Sequence, residues 1–307
     1  MCITKTLYPH SFIVSSVSAV LLLATFSATA NAATNKHSIV DEDNNTIRWA
    51  GCGITKKAFM KELAQAYQKK TKVNVILEGG GATRGIRDAV GLKIDIGGTC
   101  RMTLPEANMS EMHATLYPVA WDALAIISHK GNPVNNVTMK QVRDVYTGKV
   151  KNWKQLGGQD APIHLYVRKG MISGVGYAIR QYVFQDSSMQ FHTRYVVRSS
   201  GPLEKAIEKD PYAMGITGVS SARKRNVKIQ NFDGKTPSYE NVKSGDYGLY
   251  RPLYLVTGPA PSKKVRDFLA YAASDEGREI IRENGTVPYR DGLQLMRKML
   301  IYGFGMK

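Results

Sequence analysis

Cysteine is scarce in this chain of 307 residues, with only Cys2, Cys52 and Cys100, and there is no paired Cys/His spacing of the kind that marks a metal site. Acidic residues are also few, 25 Asp and Glu against 42 Lys and Arg, so the formal net charge is +17. The six histidines are scattered. No G-x-S-x-G elbow and no H-E-x-x-H helix occurs, which leaves no catalytic set in view. No basic tract interleaved with aromatics suggests nucleic acid as a partner. Beyond the N-terminal region no stretch is long and apolar enough to span a bilayer. Internal repeats and low-complexity segments are absent as well.

What is present begins with an export signature over residues 1–32. Lys5 supplies a thin positive region, Phe12 to Phe26 an apolar run, and Ala30-Asn31-Ala32 a small-x-small cleavage site. Cys2 precedes the apolar run and leaves with the peptide, so two cysteines remain in an exported, periplasmic product. With 43% hydrophobic and 22% charged residues the rest is globular. The basic excess suits either a solvated surface or an anionic ligand or docking partner.

From Thr46 onward, short apolar runs alternate with amphipathic stretches and glycine turns. Ile47 to Ala50 reads as a strand entering Gly51-Cys52-Gly53, and Thr55 is placed to cap a helix carrying Phe59, Leu63 and Tyr67. Val73 to Leu77 ends in Glu78-Gly79-Gly80-Gly81 before a helix from Thr83, and Ile94 to Ile96 breaks at Gly97-Gly98. This rhythm predicts an α/β, doubly wound architecture with ligands beyond the carboxyl ends of the strands. A second lobe opens near Trp121, with strands at Ala123–Ile127, Ile163–Val167 and Ala213–Thr217 and helices at Met139–Tyr146 and from Pro202. Tyr250 to Val256 returns the chain to the first lobe, which two helices, Lys263–Ala273 and Glu276–Glu283, complete.

Three glycine turns feed helix N-termini: Gly51 to Thr55, Gly79 to Thr83 and Gly170 to Gly174. Each end offers unpaired N–H groups and a partial positive charge, and hydroxyls at Thr55, Thr83 and Ser173 with cations at Arg84, Arg101, Arg168 and Lys169 accompany them. Turns facing one another across a cleft would grip a small anion by charge-assisted bonds.

These turns, with "NPVNNVTMKQVRDVYTGKVKNWKQLGG", "SYENVKSGDYGLYRPLYLV" and "FLAYAASDEGREIIRENGTVPY", resemble the phosphate-type (PstS-like) solute-binding proteins of ABC importers, over about Thr46 to Tyr289. The resemblance implies a two-lobed periplasmic binding protein fold of type II, with hinge strands and a cleft that closes over a small anion such as phosphate. It also implies a membrane partner (an ABC permease, or a sensor), no cofactor and no catalysis, and the protein is expected to be a monomer. The expected lobes are residues 45–118 with 246–295, and 119–245, followed by a tail at 296–307. Carried over position by position, the ligand set is Thr55, Ala82, Thr83, Cys100, Arg101, Lys169, Ser173 and Gly174.

Several positions depart from the family pattern. Ala82 stands where a serine is expected, Val175 where a hydroxyl is, and Cys100 where an aspartate would accept the proton of a protonated phosphate. A thiol is a poor acceptor in that role. Cys52 falls in the facing turn, with Met102 and Met171 nearby, so a soft ligand such as Cu(I) or arsenite is the alternative. The two cysteines also admit a disulfide or incidental thiols.

Overall fold

Alternating burial along Thr46–Gly51 makes β1, and the fully buried Ile47 and Trp49 face the core. The computed structural model describes residues 45–302, all within the unit Ser38–Lys307. The export signature with Cys2, and the last five residues of the expected tail, lie outside the described residues.

β1 runs into α1 (Gly53–Thr55), which continues through a π-helical turn at Lys56–Met60 into α2 (Lys61–Thr71). β2 (Asn74–Glu78), α3 (Ala82–Val90) and β3 (Ile96–Thr99) complete a parallel unit, in which β1 pairs with both other strands. β4 (Thr115–His129) then runs for 15 residues. Beyond it come β5 (Asn136–Val137), α4 (Met139–Tyr146), β6 (His164–Arg168), α5 (Gly174–Ile179) and β7 (Tyr195–Val197). α6 (Ser200–Lys209), β8 (Ala213–Gly218), α7 (Val219–Ala222), β9 (Val227–Ile229), β10 (Asn231–Phe232) and α8 (Tyr239–Ser244) follow. β11 (Tyr250–Thr257) leads into α9 (Lys263–Ala273), α10 (Asp275–Glu283), β12 (Val287–Pro288) and α11 (Leu293–Tyr302). Residues 296–302 of the expected tail are therefore helical.

The main sheet has the order β2-β1-β3-β11-β4-β8-β6-β7. Its two ends are parallel, as βαβ crossovers require, while β11 and β4 run antiparallel in the middle. β4 changes neighbours along its length: Thr115 to Ala123 lie against β11, and Leu124 to Ser128 against β8. The two long strands thus join the lobes of a two-lobed α/β fold. Strand β4 is much longer than the Ala123–Ile127 expected, because Pro118 and Asp122 interrupt an apolar run without breaking the ladder.

Gly97 and Gly98 lie inside β3 and do not end it. A β-carbon at Gly97 would overlap the Gly85 carbonyl of α3, and one at Gly98 would overlap the Trp49 ring. Glycine here permits helix and strand to touch, a role that strand periodicity alone does not show. Trp121 of β4 stacks on Tyr289, with centroids 5.0 Å apart and planes 11° apart, and donates to its carbonyl at 3.0 Å.

Candidate functional site

The N-termini of α1, α3 and α5 converge on one cleft. The Gly81 N–H donates to the Gly51 carbonyl at 3.0 Å, tying the second glycine turn to the first, and the Cys52 N–H donates to Gly98 at 2.8 Å. Gly81 caps α3 at φ 90°, a conformation that suits glycine. The Ser173 hydroxyl accepts from the Gly176 N–H at 3.2 Å and caps α5. Gly174 must lack a side chain, because a β-carbon there would overlap the Cys100 sulfur and lie 3.1 Å from Ala82. Beside these ends is a cleft of about 460 Å³ lined by Cys52, Gly53, Gly79 to Ala82, Arg168, Gly174 and Val175, and also by Ser199 to Gly201 and Ser221. Lys56, Lys57, Lys61, Lys224 and Arg225 complete the lining, which contains no carboxylate. A larger cavity of about 680 Å³ lies elsewhere, against Val145, Phe191 and Tyr195, and presents none of these helix ends.

Cys52 and Cys100 are buried free thiols with their sulfurs 2.8 Å apart. Donation from Cys100 is the largest cause pulling the Cys52 thiol down; burial opposes it, and Arg251 with the N–H groups of Thr55 and Ile54 assists. Cys100 is pushed well up, first by donating to Cys52 and then by burial. These influences favour negative charge on Cys52, at the start of α1, over Cys100.

Below them Arg251 is wholly buried. It donates from Nη1 to the Cys100 carbonyl at 3.4 Å, just after β3, and to the Gly174 carbonyl at 3.3 Å, at the start of α5. Its Nη2 is 3.9 Å from Asp122 Oδ2, an ion-pair distance too long for a hydrogen bond. Burial pulls the Arg251 pKa down, but Cys100, Asp122 and Cys52 outweigh it and raise it. Burial raises Asp122, against the pull of Arg251. The sequence reading missed this pair; its only signal was a charge in each of two otherwise apolar strands.

The predicted ligand residues separate into two groups. Ala82 and Gly174 line the cleft with Cys52, and Cys100 lies buried against that cysteine. The others lie outside the lining. Thr55 is buried with its hydroxyl unpartnered. Thr83 donates to the Ile172 carbonyl at 3.2 Å. Arg101 is clamped by Glu111, at 2.8 Å from Nη1 and 3.0 Å from Nη2, and its Nε donates to Ile172 at 3.0 Å. Ser173 serves as the cap described above. Lys169 is exposed, whereas its neighbour Arg168 lines the cleft, is only 8% exposed and donates to the Ser200 hydroxyl at 2.7 Å. Among the described residues the Arg168 Nε has no partner, and burial lowers its pKa. The soft-metal alternative gains no support: Met102 and Met171 are exposed, and among the described residues no group of three His, Cys, Asp or Glu could hold a metal.

Two buried glutamates set an acid limit on the fold. Glu111 accepts from Arg101, and Glu204 accepts from the Ser221 hydroxyl at 2.5 Å, Thr217 at 2.7 Å and Lys57 at 2.9 Å. Burial opposes ionisation in each, yet these bonds hold both below the ordinary glutamate value of 4.5. A depressed native pKa contributes stability that is complete above the unfolded value and is lost as pH falls through the native one. The denaturation midpoint should therefore show little glutamate-linked change down to about 4.5 and fall below it. A midpoint that stays flat well into acid would show that neither carboxylate is linked to folding.

Comparison with known proteins agrees with this geometry. A family model described as the PBP superfamily domain matches residues 42–276. The phosphate-binding protein PstS of Borreliella burgdorferi is 25% identical over 80% of this chain and 91% of its own. That of Bacillus subtilis is 24% identical over 88% of this chain and 93% of its own. Among solved structures, a protein of Clostridium perfringens assigned as a phosphate ABC transporter substrate-binding protein, with bound phosphate, superposes with a TM-score of 0.73 at 27% identity, over 80% of this chain and 99% of its own.

Proposed function

The chain belongs to the PBP superfamily, and from that premise we propose that it is the periplasmic solute-binding component of an ABC importer, taking orthophosphate or a closely related oxyanion. The observation that carries this reading is the convergence of three helix N-termini and the buried Arg168 on a cleft whose lining has no carboxylate. Such a site neutralises an anion with fixed dipoles and the buried Arg168 guanidinium. The names of its relatives support the phosphate ligand and a permease partner. We place the lobes at residues 45–118 with 246–295 and at 119–245. Closure then brings Lys57 to Glu204, and Arg101 and Thr83 to the Ile172 carbonyl.

The same lining predicts the selectivity. Without a carboxylate to accept a proton from phosphate, the site lacks the acceptor that most strongly disfavours a fully ionised tetrahedral anion. Sulfate should therefore compete with phosphate within about tenfold, since one lost discriminating bond amounts to ~1.4 kcal/mol. Calorimetric titration with phosphate, repeated in sulfate, measures this. Exclusion of sulfate by several orders of magnitude would mean that some other group reads the proton, and no heat with phosphate would end the oxyanion reading.

A further inference from the structure

Resting on the oxyanion reading, we infer that the cleft holds a second anion subsite at the N-terminus of α6, so that it prefers a condensed phosphate such as inorganic pyrophosphate to orthophosphate. Arg168 lines the cleft together with the start of α6. Its Nη1 is bonded to Ser200 at the start of α6, and among the described residues its buried Nε lacks a partner although the residue lines the cleft.

The helix itself is suited to an anion. α6 is ten residues long, and its N-cap Ser199 makes no side-chain cap bond, so the capping donors at this end are not taken up by the protein's own hydroxyl. Ser199, Ser200 and Gly201 line the same cleft as Cys52, Ala82 and Gly174.

Space points the same way. The Cys52 sulfur occupies the start of α1, and Gly174 packs directly on Cys100, which crowds the inner end. The cleft nevertheless measures about 460 Å³. Orthophosphate fills the room of roughly two or three waters, at about 30 Å³ each, and would leave most of it unused.

The charge is also in excess of what the protein itself balances. Glu204 offsets Lys57 and Arg225, with Glu208 3.9 Å from Arg225, and Glu62 pairs with Lys224. Among the described residues Lys56 donates to the Leu77 carbonyl and pairs with no carboxylate. Lys61 is exposed on the cleft wall with no carboxylate bonded to it among the described residues. A second phosphoryl group would supply the missing negative charge.

The test is calorimetry on the exported chain, titrated separately with orthophosphate and with inorganic pyrophosphate at about 0.15 M ionic strength, where remote charges are screened. The wild type should bind pyrophosphate at least tenfold more tightly, and Lys61→Glu should lower that ratio severalfold. Orthophosphate binding with pyrophosphate no tighter would overturn the subsite and leave the oxyanion reading intact. Binding of neither would overturn both. An equal loss of both ligands in Lys61→Glu would reduce the effect to overall charge and also defeat the subsite.

Discussion

Arg168→Met lowers orthophosphate affinity by about 10²-fold, on the order of 3 kcal/mol for a lost charge-assisted bond in a desolvated site. The unliganded protein should lose no stability. Arg168 is 8% exposed, has no carboxylate bonded to it among the described residues, and is held by one hydrogen bond to Ser200 at 2.7 Å. Its burial already works against its charge. Methionine fills similar volume without that desolvation cost, so the lost Ser200 bond, net about 1 kcal/mol, is offset. The expected pattern is therefore weak binding with an unchanged or raised melting temperature. Arg168→Lys should recover only part of the affinity, since a point charge cannot keep the Ser200 bond and present a planar fork together. Wild-type affinity in Arg168→Met would remove the guanidinium from the site. A simple loss of folding would make its role structural.

The position of that arginine shows how far the sequence could be read. Counting back from the cap Ser173 lands on Lys169, but β6 ends at Arg168, whose side chain enters the cleft, while Lys169 turns out to solvent. Spacing fixed the neighbourhood, and which of two adjacent cations faced inward depended on where the strand stopped. The helix ends were legible because each follows its glycine turn: α3 starts at Ala82 and α5 at Gly174. Arg101 was harder. Its partner Glu111 lies ten residues on, in a short 3-10 turn at Met109–His113, and a loop that folds back leaves no periodicity to read. Cys52 and Cys100 were expected on facing turns, and the structure sets their sulfurs in contact. The buried cation beside them comes from β11, 151 residues after Cys100, so no local pattern could join the three.

That cation carries the other large effect. Arg251→Met should destabilise the protein by about 3–5 kcal/mol, because it leaves the buried Asp122 carboxylate without its paired cation and frees the Cys100 and Gly174 carbonyls at once. Asp122 cannot relieve the loss by moving to water, since it is 1% exposed and opposes Arg251 directly in the register of β4 and β11. Its Oδ1 still accepts from the Ser220 N–H at 3.1 Å, so an asparagine at this position would retain a partner. Asp122→Asn together with Arg251→Met should therefore recover a large share of the loss, which neither substitution does alone. Chemical denaturation of the four proteins gives the coupling energy. A result near zero would mean that the 3.9 Å separation is too long for the pair to act as one unit. A large coupling would establish Arg251 as the counter-charge of Asp122 where β4 and β11 lie side by side.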